Sequence, residues 1–135
     1  MRQVLAQSDK YVITHEYEVA SLLNRNSGRE VIIGDFYGGP EVAFISKNES
    51  YCVVGGCGLI IYYLKEPFQE YEYHVDSKQW KEFFRDPNDF WWISNISEGS
   101  KLNKVRFYIG ENDSRHAVNH ELDVFTLEYT RLSRR

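Results

Sequence analysis

His116 and His120 stand four residues apart with Asp113 and Glu121 nearby, a spacing that on a helix would present two imidazoles to one metal ion. No Glu follows His116 as in HExxH, and the flanking residues lack helical context, so the segment reads as a solvated loop between strands. His15 and His74 sit singly in alternating stretches and read as structural. Cys52 and Cys57 lie in apolar strand context, which raises a thiol's pKa and makes it inert. Their C-x4-C spacing is neither CxxC nor a complete zinc site. A two-residue turn at Gly55-Gly56 would pair Cys52 with Leu59 and Val54 with Cys57, which puts both sulfurs diagonally on one sheet face. No serine lies in GxSxG. The pairs Gly38-Gly39 and Gly55-Gly56 form neither a P-loop nor GxGxxG, and they join strands, whereas a phosphate cradle opens a helix. The carboxylate pairs Glu70/Glu72, Asp86/Asp89 and Glu111/Asp113 have the pattern of solvated faces. The sequence therefore predicts no catalytic residue, no metal ligand and no cofactor, and an enzyme is the least favoured class.

Acidic and aromatic residues occur together, which is more informative. Asp35, Tyr37 and Glu41 surround Gly38-Gly39-Pro40, Glu70 and Glu72 alternate with Tyr71 and Tyr73, and Asp86 and Asp89 precede Trp91 and Trp92. Tyr and Trp are the usual anchors of protein-binding surfaces, and an acidic field steers a basic partner toward contact. Asp35, Tyr37, Glu41, Glu70, Glu72, Asp86, Asp89, Trp91 and Trp92 are thus the candidate partner-binding residues. Because neighbouring strand residues point to opposite faces, one sheet can bury only one of Trp91 and Trp92 deeply. The other needs a second layer or a partner.

The elements that must position these groups follow from pattern. The 135 residues suit one domain spanning 1–135, with 16% aromatics favouring β structure. Tyr51–Leu64 is the centre: two apolar runs flank a Gly-Gly pair, and Leu59–Leu64 has no polar break, as expected of a strand covered on both faces. Before it, Tyr11–Val19 alternates as a strand although Glu16–Leu23 could also wind as a helix, and Glu30–Tyr37 and Glu41–Ser46 follow, giving an antiparallel meander. Met1–Asp9 reads as a fraying or short edge element. After it, Gln69–Val75 alternates, Phe90–Ile93 is strand-like, and Lys104–Ile109 and Asp123–Leu132 alternate to the end. One helix is expected over about 76–85: Asp76 or Ser77 caps it, Trp80, Phe83 and Phe84 fall at i, i+3 and i+4, and Pro87 follows. The predicted class is α+β, a largely antiparallel sheet with one short helix packed on it.

In size, acidity and single short helix, and in the stretches GDFYGGPEVAFI (Gly34–Ile45) and YCVVGGCGLIIYYL (Tyr51–Leu64), the chain resembles the small immunity proteins that bacteria encode beside polymorphic or contact-dependent toxins. The resemblance covers Glu30 to Trp92. It implies a stoichiometric inhibitor that binds a cognate toxin and blocks its active site, with no catalytic residues of its own. The net charge of −4 fits a basic protein partner, such as a toxin domain, and argues against nucleic acid. No apolar run approaches the ~20 residues that cross a bilayer and no secretory leader is evident, so no membrane partner and a cytoplasmic location are expected. The exposed edge of Asp123–Leu132 leaves monomer or homodimer open. A different class of function would be small-molecule binding, in a pocket between sheet and helix lined by Trp80, Trp91 or Tyr63.

Overall fold

Three antiparallel meanders of four strands each are stacked in chain order, and the middle one has no solvent face. The computed structural model describes residues 2–109 and 119–132. Sheet 1 is β1 (Gln3–Gln7), β2 (Tyr11–Glu16), β3 (Val19–Asn24) and β4 (Glu30–Asp35). Sheet 2 is β5 (Val42–Ile45), β6 (Tyr51–Gly56), β7 (Gly58–Tyr63) and β8 (Trp80–Phe83). A short hairpin, β9 (Arg85–Asp86) with β10 (Asp89–Phe90), leads to sheet 3, made of β11 (Ile93–Glu98), β12 (Lys104–Ile109), β13 (Asn119–Asp123) and β14 (Tyr129–Arg131). The first strands of the sheets, β1, β5 and β11, lie beside one another, so the sheets fan out from a shared inner edge. This is the radial arrangement of propeller blades.

Alternation in sheet 2 builds two cores at once. Cys52, Val54, Ile60, Tyr62 and Trp80 point to sheet 1, where they meet Tyr11, Ile13, Ala20, Leu22, Ile33 and Phe36. Tyr51, Val53, Leu59 and Ile61 point to sheet 3 and meet Ile93, Ile96, Val105, Phe107, Ile109, Leu122 and Val124. Strands covered on both faces carry apolar side chains at odd and even positions alike, which is why β6 and β7 read as unbroken apolar runs. The outer face of sheet 3 is polar by contrast: Ser97, Arg106, Glu121 and Thr130 lie across it in register. The long connection between β7 and β8 runs back along the edge of β4, where the Tyr71 N–H donates to Ile32 O at 2.9 Å and Glu70 accepts from the Ile32 N–H.

The expected α+β class is overturned, because the described residues contain no helix, and the stretch 76–85 holds β8 instead. The aromatic spacing misled for a physical reason. Trp80 faces sheet 1 and Phe83 faces sheet 3, as positions three apart in a strand must. Phe84 then takes a φ of +60°, which breaks the alternation and turns its ring to the same side as Phe83. The three rings serve two cores, not one helix face. Gln69–Val75 is connection rather than strand, and the expected strand Asp123–Leu132 is instead the end of β13, a turn at 124–128 and the short β14.

The central hairpin also turns later than expected. Val54 pairs with Ile60, Cys52 with Tyr62 and Gly56 with Gly58, so Cys57 alone is the tip. Gly58 has a φ of +80°, and a Cβ there would lie 2.1 Å from Arg85 Cγ and 2.7 Å from Phe83 O. Both conformation and space require glycine. Cys52 faces sheet 1 while Cys57 sits at the tip, bridged to Trp92, so the sulfurs do not share a face diagonally.

Candidate functional site

In stacked meanders the connections alternate between two ends. One end gathers the β2–β3 turn, the β4–β5 connection, the Cys57 tip and the passage from β8 to β11, joined by Phe36 N–H to Glu18 O at 2.7 Å and by Gly58 N–H to Trp91 O at 2.7 Å. This end carries Glu18, Asp35, Glu41, Asp86 and Asp89, and among the described residues its one Lys or Arg is Arg85. The short connections of the opposite end (8–10, 25–29, 46–50, 99–103 and 124–128) carry Lys10, Arg25, Arg29, Lys47 and Lys101 against Asp9, Glu49 and Glu128. The short turns of the two ends therefore differ in sign, a contrast reduced by Glu30, Glu98 and Asp123 at strand ends on the second side and by Glu66 in the 64–79 connection.

Arg85 organises the acidic end. Its guanidinium donates through Nη2 to Asp35 O at 2.5 Å and through Nη1 to Cys57 O at 3.2 Å. It lies over the Phe36 ring, 4.6 Å from the centroid, and 5.9 Å from that of Tyr73. Its Nε is 2.8 Å from Glu82 Oε1, an ion pair without hydrogen-bond alignment, and the Tyr71 hydroxyl donates to the same oxygen at 2.9 Å. With 8% of its side chain exposed, Arg85 is a structural cation that ties sheet 1 to sheet 2. Burial pushes the Tyr71 hydroxyl well above the ordinary tyrosine range, an effect that Arg85 opposes and Glu82 reinforces. Burial likewise raises the Cys57 thiol, with Arg85 pulling the other way.

Around this clamp the surface is aromatic. Tyr17 and Tyr37 are 82% and 83% exposed, and Tyr73 and Phe90 are also exposed. Trp92 is half-buried and donates from Nε1 to Glu41 Oε1 at 2.8 Å. Between Tyr37 and Tyr73 opens a cleft of about 220 Å³, lined also by Glu18, Asp35, Phe36, Cys57 and Arg85.

Of the sequence candidates, Asp35, Tyr37, Glu41 and Trp92 come together here, with Asp86 and Asp89 on the β9–β10 hairpin beside them. Trp91 does not join them. It stacks on Phe84 at 4.0 Å between sheets 2 and 3, near His120 and Tyr129, so the second layer accommodates it. Glu70 is drawn to the β4 edge by the Ile32 N–H, and Glu72 is exposed on the same connection. Sequence reasoning missed Tyr17, Glu18, Phe90 and Arg85, and it named Tyr73 only as a neighbour of Glu70 and Glu72. Tyr17-Glu18 lies inside an ambiguous strand-or-helix stretch, and the alternation that runs unbroken from Tyr11 to Val19 gives no sign of the turn. His116, Glu111 and Asp113 lie outside the described residues, while His120 is buried in β13. Among the described residues no group of three or more His, Cys, Asp or Glu is placed to hold a metal ion. The cleft that contains Trp80, about 470 Å³, is open to solvent and holds neither Trp91 nor Tyr63. No helix of the described residues is long and apolar enough to cross a membrane.

No protein-family model matches the chain, and no curated protein matches it.

Proposed function

We propose that this is a protein-binding domain whose acidic, aromatic end engages a basic protein partner. The observation that carries this is the make-up of one end: Glu18, Asp35, Glu41, Asp86 and Asp89 lie with four exposed aromatic rings around an internally neutralised arginine, with Lys81 in the neighbouring groove. Exposed Tyr and Phe on loops held by a rigid scaffold supply contact area at small entropic cost, and the acidic field speeds encounter with a cation-rich surface. An immunity-type inhibitor would use such an end to cover a toxin's active site. That narrower version rests on the sequence resemblance. Small-molecule binding is the weaker alternative: the aromatic cleft of about 220 Å³ falls below the roughly 300–1,000 Å³ of ordinary ligand sites, and the groove beside Trp80, though about 470 Å³, is wide open to solvent and lined mainly by polar and charged residues.

The test is capture from the native host at low ionic strength, comparing the tagged wild type with a Glu41→Lys, Asp86→Lys, Asp89→Lys variant. A basic protein retained near one-to-one by the wild type, released by salt and lost with the variant, supports the proposal. Equal capture by both would refute it.

A further inference from the structure

The geometry points to the Tyr37–Tyr73 cleft as the seat for an arginine side chain of the partner, an inference that rests on the protein-binding proposal above. Phe36 and Arg85 form the floor, and Phe36 is fully buried, which leaves Tyr37 and Tyr73 as the exposed walls. The floor offers nothing to an anion: the Nη groups of Arg85 donate to the carbonyls of Asp35 and Cys57, and Glu82 offsets its charge at 2.8 Å. The walls carry two carboxylates. Glu18 spends one oxygen on the Gly38 N–H at 2.9 Å, and Asp35 uses its carbonyl, not its carboxylate, on Arg85. Among the described residues neither carboxylate has an ion-pair partner. The cleft therefore brings two tyrosine side chains and two carboxylates without a direct ion pair around a space sized for one side chain, with Tyr73 also against the His74 ring at 3.7 Å.

Arginine suits this arrangement better than lysine. A guanidinium is planar, stacks on aromatic faces, and can donate to two oxygens at once, while an ammonium is a strongly hydrated point charge. The interaction would act as an anchor within the wider acidic surface, with Asp86 and Asp89 supplying longer-range attraction.

Three capped tripeptides test this by amide shift titration of the whole protein: acetyl-Gly-Arg-Gly-amide, its lysine counterpart and its uncharged citrulline counterpart. The arginine peptide should give saturable shifts at Tyr37, Gly38 and Tyr73, weaken about three- to tenfold with Tyr37→Ala or Asp35→Asn, and exceed the lysine peptide. Both substitutions are at exposed side chains, and unchanged amide spectra elsewhere would show that the fold is intact. Equal shifts from citrulline, equal binding of lysine, shifts located elsewhere, or indifference to both substitutions would overturn the assignment. If the peptides fail while the Asp86 and Asp89 reversals still abolish capture of a basic protein, the cleft is wrong and the surface stands. If the reversals also have no effect, both fall.

Discussion

Replacing Gly58 by alanine should destabilise the protein far more than the same change at Gly28. Both glycines have positive φ, +80° and +76°, so both substitutions incur the left-handed penalty of roughly 1–2 kcal/mol. Gly28 has no atom within 4 Å of where its Cβ would stand, so the penalty there ends with the backbone. At Gly58 the Cβ would meet Arg85 Cγ at 2.1 Å, Phe83 O at 2.7 Å and Phe84 O at 2.9 Å. The arginine cannot swing aside freely, because its head is fixed to Asp35, Cys57 and Glu82, and the other two obstacles are backbone. Forcing a methyl group into such a site adds about 1–3 kcal/mol, for a total near 3–4 kcal/mol. With a urea m-value of roughly 1–3 kcal/mol/M, Gly58→Ala should lower the unfolding midpoint by about 1–4 M at unchanged m. Gly28→Ala should lower it by less than half as much. Losses within about 0.5 kcal/mol of each other would refute the steric argument and, with it, the close seating of Arg85 behind the hairpin tip.

Glu82→Ala strands a largely buried guanidinium, so a loss of about 3 kcal/mol is expected in the same urea assay, and Tyr71→Phe, which removes one hydrogen bond to Glu82, should cost about 1 kcal/mol. Acid should unfold the protein partly through Asp123 and Glu49. The N–H of Thr126, with that of Phe125, holds Asp123 below the usual carboxylate range, and Ser8 and the Lys10 N–H do the same for Glu49. A lowered folded pKa stabilises above the unfolded value near pH 4 and is lost as pH falls through the folded one, so Asp123→Asn should flatten the drop in urea midpoint between about pH 5 and pH 2. Burial pushes the Cys52 thiol far up, and the side chain has no exposed surface. A thiol reagent at pH 8 should label Cys52 only after denaturant is added, whereas labelling at the native state's initial rate would contradict its position in the core.

The parts of the fold that could be read from sequence are those where pattern and burial coincide. Leu59–Leu64 announced a strand with two covered faces, and β7 is one. The helix over 76–85 failed because aromatic spacing alone cannot distinguish one apolar stripe from two opposed sheet faces followed by a left-handed residue, and Phe84 gives no local sign of its φ. The Gly55-Gly56 turn failed because a third glycine two positions on, Gly58, is the one the sterics demand. At the candidate site, Glu41 and Trp92 were both named, but their hydrogen bond joins residues 51 apart, which no local pattern encodes. Arg85 escaped notice for the same reason: its partners Asp35 and Cys57 are supplied by the stacking of sheets 1 and 2.

The doubly covered middle sheet also has a consequence during synthesis. Sheet 1 precedes it in the chain, so Cys52, Val54, Ile60 and Tyr62 find their cover as soon as they emerge. Tyr51, Val53, Leu59 and Ile61 must wait for Ile93 and Ile96 and then, some 60 residues further on, for Phe107, Ile109, Leu122 and Val124 to complete the cover. At translation speeds of roughly 5–20 residues per second that interval lasts about 3–12 s. For those seconds the nascent chain displays an aromatic and β-branched sheet face only partly covered, and this is the window in which a chaperone or a neighbouring ribosome's product could claim it.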